Sequence, residues 1–268
     1  MQQQSYFSGF TPLPPNIEAQ LIPEAKPQCR QPSHPVDALV ICMHGFTGNP
    51  YEVAPAVSAL SDRNIPAVAP LLPGHGYRER SKQEQEFSRI TLEGMLTAAR
   101  QEIAQARERY SRVGMFGFSM GGAISLTMAS EGLLDACAVA APALRLPRKA
   151  ELLIPLLSWA NFTMEAPSSE PFYLPVYDFH HSRALRTLWQ LSGHARRRLS
   201  EIRCPVLAVH SHNDPTVPPI VLGMMHRHIP TELETAWFDD SGHVMLLDVS
   251  GPEVSAKISE FFQHQFLD

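Results

Sequence analysis

The chain has 268 residues, enough for one large α/β domain or two small ones. Hydrophobic residues make up 44% and charged residues 18%, which is typical of a globular protein. The net charge of −5 offers no basic surface to nucleic acid or to an anionic membrane, so we expect neither as a partner.

The start of the chain is rich in glutamine and proline. Residues 1–6 have neither a basic nor an apolar signal region, so we expect no secretory signal and a cytoplasmic location. No apolar run reaches the roughly 18 residues that a membrane-spanning helix needs. Residues 1–35 are predicted to be an irregular lead-in, with short edge strands near 7–10 and 19–22.

The next elements alternate between strand and helix. Residues 37–43 are apolar on both faces, as a central parallel strand is. A helix over 50–60, a strand over 67–71 and a helix over 88–109 follow, the last with apolar residues at helical spacing. This alternation predicts a mostly parallel sheet covered by helices on both faces.

A serine lies at the apex of a sharp turn, in Gly117-Phe118-Ser119-Met120-Gly121. An apolar run precedes this segment and a helical pattern follows it, so the G-x-S-x-G sequence is typical of a nucleophile elbow. We expect strand and helix to approach each other so closely at Gly117 and Gly121 that a Cβ at either position would clash. The turn would present the Ser119 hydroxyl at a helix N-terminus, where developing negative charge is favoured.

The alternation stops after a strand over 136–141. Residues 143–185 are predicted to form an inserted helical cap, because so long a loop is unusual in a compact domain. The core is then composed of residues 36–142 and 186–268. After the cap we predict helices over 182–199, 218–228 and 251–266, and strands over 206–210 and 234–238.

The cap contains an apolar run. Its side chains could be part of the core, or they could line a pocket for an acyl chain, and the position of the cap between strands favours the pocket. The residues concerned are Leu152, Leu153, Leu156, Trp159 and Phe162.

A serine needs a base to take its proton and an acid to hold that base. Asp214 follows the strand at 206–210 and His243 follows the strand at 234–238. Functional groups of such sheets lie at the carboxyl ends of the strands, and the order Ser119, Asp214, His243 fits this arrangement. Asp178 in the cap is the alternative acid.

The oxyanion formed by attack on a carbonyl needs donors already aimed at it. The backbone N–H of Met120, directly after the nucleophile, is one candidate. The N–H of Phe46 is the other, since Gly45 allows the loop after the first central strand to turn inward.

Histidines near carboxylates could instead suggest a metal site. His180 and His181 lie close to Asp178, and His210, His212 and His226 form a second group. Neither has the spacing of a known zinc motif, so we predict no metal and no organic cofactor.

Five segments together resemble the α/β-hydrolase superfamily. They are H-G-F-T-G-N from residue 44, P-L-L-P-G-H-G from 70, G-F-S-M-G-G from 117, N-D-P-T-V-P from 213 and S-G-H-V from 241. The chain is most similar to bacterial carboxylesterases and monoacylglycerol lipases. The resemblance implies an α/β-hydrolase fold, a triad of Ser119, Asp214 and His243, and Phe46 and Met120 as oxyanion donors.

The resemblance also implies hydrolysis of short- to medium-chain acyl esters, small molecules that include monoacylglycerols. The same nucleophile could act on thioesters, on amides or peptides, on carbon–carbon bonds, or in acyl transfer. A non-catalytic binding protein is a further alternative, which the presence of all three triad residues disfavours.

Overall fold

The computed structural model describes residues 6–157 and 159–267. The first five residues of the lead-in, on which the prediction of no secretory signal depends, and Ser158 in the cap lie outside the described residues. The strands are β1 (Gln28–Arg30), β2 (Ala38–Met43), β3 (Ala67–Ala69), β4 (Arg112–Phe118), β5 (Ala136–Ala140), β6 (Thr163–Glu165), β7 (Phe179–His181), β8 (Val206–His210) and β9 (Leu233–Trp237).

The helices connect these strands and cover the sheet that they form. They are α1 (Pro15–Glu18), α2 (Ala54–Asp62), α3 (Arg80–Phe87), α4 (Leu92–Arg107), α5 (Met120–Ser130), α6 (Arg148–Leu157), α7 (Ser182–Arg198), α8 (Ile220–His228) and α9 (Gly251–Leu267). Short 3₁₀ turns lie at Pro23–Ala25, Pro50–Val53 and Leu199–Glu201.

Seven strands form one sheet in the order β1-β3-β2-β4-β5-β8-β9. β1 is antiparallel to β3, and all the other neighbouring pairs are parallel. The prediction of a mostly parallel sheet is therefore confirmed. The carboxyl ends of its parallel strands lie along one edge, which brings the loops after β2, β4, β8 and β9 together.

Both faces of the sheet are buried. Leu39, Ile41 and Met43 of β2 point into a core shared with helices α4, α5, α7 and α8. Val40 and Cys42, which alternate with them, point into a second core shared with α2 and α9. This explains why the strand is apolar throughout: each face must bury its own row of side chains.

The lead-in differs from its prediction. Residues near 7–10 and 19–22 make only isolated antiparallel bridges, Phe7 with Leu71 and Leu21 with Tyr77. The true edge strand is β1, whose polar Gln-Cys-Arg sequence shows no alternation that could have indicated it. β1 exists because β3 offers it an unpaired edge, so a distant part of the chain decides its structure.

The cap is not purely helical. It contains α6 and an antiparallel pair, β6 with β7, in which Thr163 lies opposite His181. The prediction of a helical cap missed these two strands, because three-residue strands are too short to show a period of two. α3 was also missed: its polar sequence buries only Phe87. No helix within the described residues is long and apolar enough to cross a membrane.

Candidate active site

Ser119 is held in a strained turn between β4 and α5. Its φ of 52° and ψ of −112° lie in a region that non-glycine residues seldom adopt. The turn is fixed by two backbone hydrogen bonds, from Ser119 N–H to the Ala140 carbonyl at 2.9 Å and from Ala143 N–H to the Ser119 carbonyl at 3.0 Å. β5 and the segment after it thus hold Ser119 in a conformation that would be unfavourable in isolation.

The two flanking glycines permit this turn. A Cβ at Gly117 would overlap the backbone of Gly121, and a Cβ at Gly121 would overlap the backbone of Met43 and His44. The expected clash is therefore confirmed at both positions, and it lets α5 begin directly against β2 and β4.

A continuous line of hydrogen bonds connects three side chains from different loops. His243 Nε2 lies 3.0 Å from Ser119 Oγ, and His243 Nδ1 lies 2.8 Å from Asp214 Oδ2. Asp214 is 7% exposed and Ser119 is also 7% exposed, so this line is shielded from bulk water. The structure brings together the three side chains that the sequence indicated for the triad.

The second oxygen of Asp214 is also occupied. Its Oδ1 accepts hydrogen bonds from Thr216 N–H at 2.7 Å and Val217 N–H at 2.9 Å. Burial raises the pKa of Asp214, but the hydrogen bond and charge of His243 and the two backbone donors outweigh it, so the pKa is below its usual value. The carboxylate is charged at neutral pH and aimed at His243.

Asp178, the alternative acid, and two carboxylates close to His243 in sequence have different partners. Asp178 pairs with Arg80 at 2.5 Å, and Asp239 accepts from His212. Asp248 accepts from the Ser241 hydroxyl at 2.8 Å and from Gly242 N–H at 3.1 Å. Asp248 therefore supports the loop that carries His243, and Asp178 lies in a surface ion pair.

The loop after β2 is fixed by His44. Leu72 N–H donates to His44 Nε2 at 3.1 Å, so the ring proton is on Nδ1, which lies 3.0 Å from the Gly45 carbonyl oxygen. Burial, with a smaller effect of His75, lowers the pKa of His44 well below its usual value and keeps it neutral. Because the peptide is planar and trans, anchoring the Gly45 carbonyl also sets the direction of the Phe46 N–H.

Phe46 and Met120 flank the serine. Phe46 lines the same cavity as Ser119, and its ring packs on Phe87 at a centroid distance of 5.0 Å. Met120 is the first residue of α5, where backbone N–H groups have no partner within the helix. Both N–H groups therefore belong to segments whose backbone is held in place beside Ser119.

A cavity of about 560 Å³ opens from Ser119 and His243 beneath the cap. Leu153 and Phe162 line it, as we had expected of the apolar run. Further apolar lining residues were missed by the sequence analysis, because their side chains converge only in the fold. They include Ala143, Leu146, Ile154, Leu157, Leu185, Leu188 and Val217.

Three residues predicted for the pocket lie outside it. Leu152 and Leu156 are each 72% exposed and Trp159 is 78% exposed, on the outer surface of the cap. α6 is apolar on several sides, and only the side that carries Leu153 and Ile154 faces the cavity. Since Leu152 and Leu156 are four residues apart on a helix, they share the opposite, outward side.

The histidines weighed as metal ligands have other contacts. His180 lines the cavity, and His212 pairs with Asp239. Among the described residues, no group of three or more His, Cys, Asp and Glu side chains is arranged to hold a metal ion. His75, in the turn after β3, lies with its Nδ1 2.8 Å from the Pro73 carbonyl oxygen.

Residues 40–257 match the model of a family described as the alpha/beta hydrolase family. The chain is 26% identical over 238 residues to a thermostable monoacylglycerol lipase of Bacillus sp. strain H-257, covering 83% of this chain and 89% of that protein. It is 24% identical over 239 residues to a carboxylesterase of Bacillus subtilis strain 168, covering 85% and 93%.

Solved structures share the architecture. A metagenome-derived lipolytic enzyme superposes with a TM-score of 0.83 at 23% identity, over 91% of this chain and 100% of the other. A monoacylglycerol lipase of Paleococcus ferrophilus superposes with a TM-score of 0.73 at 16% identity, over 90% and 98%. At these identities the superpositions establish the fold.

Proposed function

The chain belongs to the alpha/beta hydrolase family, and on that basis we propose that it hydrolyses carboxylic esters of short- to medium-chain acids, monoacylglycerols among them. The observation that carries this proposal is the line Asp214–His243–Ser119, with hydrogen bonds of 2.8 and 3.0 Å, at the floor of an apolar cavity. The lipase and esterase names of its relatives support it.

In the first half of the reaction, His243 Nε2 accepts the Ser119 proton as Oγ attacks the ester carbonyl. The carbonyl oxygen becomes negatively charged and accepts hydrogen bonds from the Phe46 and Met120 N–H groups. Asp214 holds the Nδ1–H of His243 and stabilises the imidazolium. His243 then donates its proton to the leaving alcohol, the C–O bond breaks, and an acyl group remains on Ser119.

In the second half, water takes the place of the alcohol. His243 accepts a proton from water as its oxygen attacks the acyl carbonyl, and the oxyanion forms again at the same two N–H groups. The bond to Ser119 breaks, the serine recovers its proton from His243, and the carboxylic acid leaves.

The cavity supports an uncharged apolar acyl chain as the substrate group. Its described lining is dominated by aliphatic and aromatic side chains and includes no Lys or Arg. An anionic substrate would have no counter-charge there, whereas an aliphatic chain would be removed from water at about 25 cal/mol per Å². A volume of about 560 Å³ exceeds what an acetyl group needs, which favours longer chains.

The proposal is tested with p-nitrophenyl esters from acetate to palmitate on wild type and Ser119→Ala. We expect the variant to lose on the order of 10⁴-fold or more in kcat while its melting temperature stays near that of wild type. Ser130→Ala is the matched control, since its hydroxyl bonds only the Thr127 carbonyl of the same helix. Ester turnover that survives in Ser119→Ala would contradict the proposal, as would wild type that is active only on thioesters, amides or acyl acceptors other than water.

A further inference from the structure

A buried carboxyl lies directly beneath the loop that carries Phe46. Glu52, in the 3₁₀ turn Pro50–Val53, is only 3% exposed. Its Oε2 accepts a hydrogen bond of 2.8 Å from Gly45 N–H. A Cβ on Gly48 would overlap the same carboxyl, so the loop from Gly45 to Gly48 wraps closely around it.

Gly45 is thereby held on both sides. Its carbonyl is bonded by His44, and its N–H is bonded by Glu52. Glycine has no side chain to restrict its φ and ψ, so these two contacts supply the restriction. The peptide between Gly45 and Phe46 is planar, and its orientation decides where the Phe46 N–H points.

We infer that Glu52 is a positioning residue for ester hydrolysis, which holds Gly45 so that the Phe46 N–H stays aimed at the oxyanion. The inference rests on the proposed function, because the Phe46 N–H matters only if an oxyanion forms beside Ser119. Glu52 acts through the backbone and leaves the proton transfers to His243.

The neutral form of Glu52 suits this role. Burial raises the pKa of Glu52 to about 8, and the hydrogen bond from Gly45 offsets that rise only in part. The other titratable side chains on this loop or around the cavity are His44, His180, His243, Tyr177 and Glu170. Within the described lining there is no Lys or Arg to compensate an ionised Glu52.

Ionisation of Glu52 has a definite consequence. It would place a negative charge beneath the loop whose N–H stabilises a developing negative charge, in surroundings of low dielectric constant. The neutral carboxyl still accepts the Gly45 N–H through one oxygen. We therefore expect turnover to decline as the pH rises through about 8, in addition to any other titration of the site.

Two substitutions separate the acceptor from the charge. Glu52→Gln keeps an acceptor oxygen of similar size but cannot ionise, so kcat at neutral pH should stay within about tenfold of wild type and the alkaline decline should disappear. Glu52→Leu leaves the Gly45 N–H unpaired, so kcat should fall by about 10- to 100-fold with KM changed less than about threefold. Glu108→Gln, an exposed carboxyl beyond α4, is the control for charge alone.

The measurement is pH-stat release of butyrate from a butyrate ester, from about pH 6 to about pH 9.5, with full-length wild type and each variant. Circular dichroism melting establishes that each variant is folded. The inference is overturned if Glu52→Gln retains the alkaline decline of wild type, or if folded Glu52→Leu has the kcat of wild type. In either case, loss of turnover in Ser119→Ala would leave the proposed function standing.

Infrared spectroscopy gives a readout that does not depend on turnover. A protonated-carboxyl band present in wild type at neutral pH and missing in Glu52→Gln is the expected result. If that band is absent from wild type, the neutral form is excluded, and with it the alkaline decline that we expect from Glu52. Absence of ester turnover in wild type, by contrast, would count against the proposed function itself.

Discussion

The guanidinium carbon of Arg80 lies 4.1 Å from the centre of the Phe179 ring, and this contact joins α3 to the cap. The same guanidinium bonds Asp178 at 2.5 Å and Glu165 at 2.7 Å, both in the cap, and Glu84 at 2.7 Å within α3. Each ion pair is partly exposed and weak alone. Together with the ring contact they make Arg80 the main polar link between α3 and the β6–β7 pair.

We expect Arg80→Ala to loosen the β6–β7 pair and with it one wall of the cavity. Met164 of β6 and His180 of β7 both line that cavity, and a long acyl chain would contact more of its wall than an acetyl group does. The value of kcat/KM should therefore fall by about 3- to 10-fold for an octanoate ester and little for acetate. High salt should move wild type toward the variant, because exposed ion pairs are screened.

Arg89→Ala is the matched control for Arg80→Ala. Arg89, just beyond α3, pairs with Glu86 of that helix and bonds no cap residue among those the structure describes, so its removal should leave the chain-length profile as it is in wild type. A loss of equal size for acetate and octanoate in Arg80→Ala would show that the link does not act on the acyl wall.

Asp214→Asn is expected to lower kcat by about 10⁴-fold with the fold intact. An amide facing His243 Nδ1 can present its NH₂ group, which favours the tautomer with the proton on Nε2 and removes the acceptor for the Ser119 proton. Asp178→Asn serves as the comparison, since Asp178 pairs with Arg80 and not with His243. Equal losses in the two variants would contradict the assignment of Asp214 as the acid.

The meeting of Ser119, His243 and Asp214 could be predicted because the chemistry restricts both residue type and position. Each lies just after a strand, and the carboxyl ends of parallel strands meet at one edge of the sheet. The strands themselves were predictable for a related reason, since a strand buried on both faces must be apolar throughout.

The parts that could not be predicted depend on partners distant in sequence. β1, β6 and β7 have three residues each and exist because an adjacent strand offers hydrogen bonds. The direction in which α6 packs decides that Leu153 enters the cavity and Leu156 does not. The burial of Glu52 likewise depends on how the preceding loop folds back over it, which no local pattern indicates.

Leu153 and Leu156 provide a direct test of the cavity wall. Leu153→Trp should fill part of the cavity and move the preferred chain length of p-nitrophenyl esters toward acetate and butyrate, because longer chains would collide with the indole. Leu156→Trp, on the outward side of the same helix, should leave the preference as it is in wild type. The same shift in both variants would mean that α6 packs differently in solution.

Acidification should destabilise the fold between about pH 6.5 and about pH 4, because buried histidines are neutral in the folded state. Burial lowers the pKa values of His75 and His210 to about 4 in each case. In that range the unfolded chain binds more protons than the folded chain, so the free energy of unfolding falls as the pH falls. His75→Asn can keep a donor to the Pro73 carbonyl but cannot titrate there, so it should be less stable at neutral pH and show a flatter dependence on pH. Urea unfolding at several pH values measures the free energy of unfolding, and His226→Asn, at an exposed position, is the control. If that free energy depends on pH as steeply in His75→Asn as in wild type, the acid sensitivity belongs to other groups.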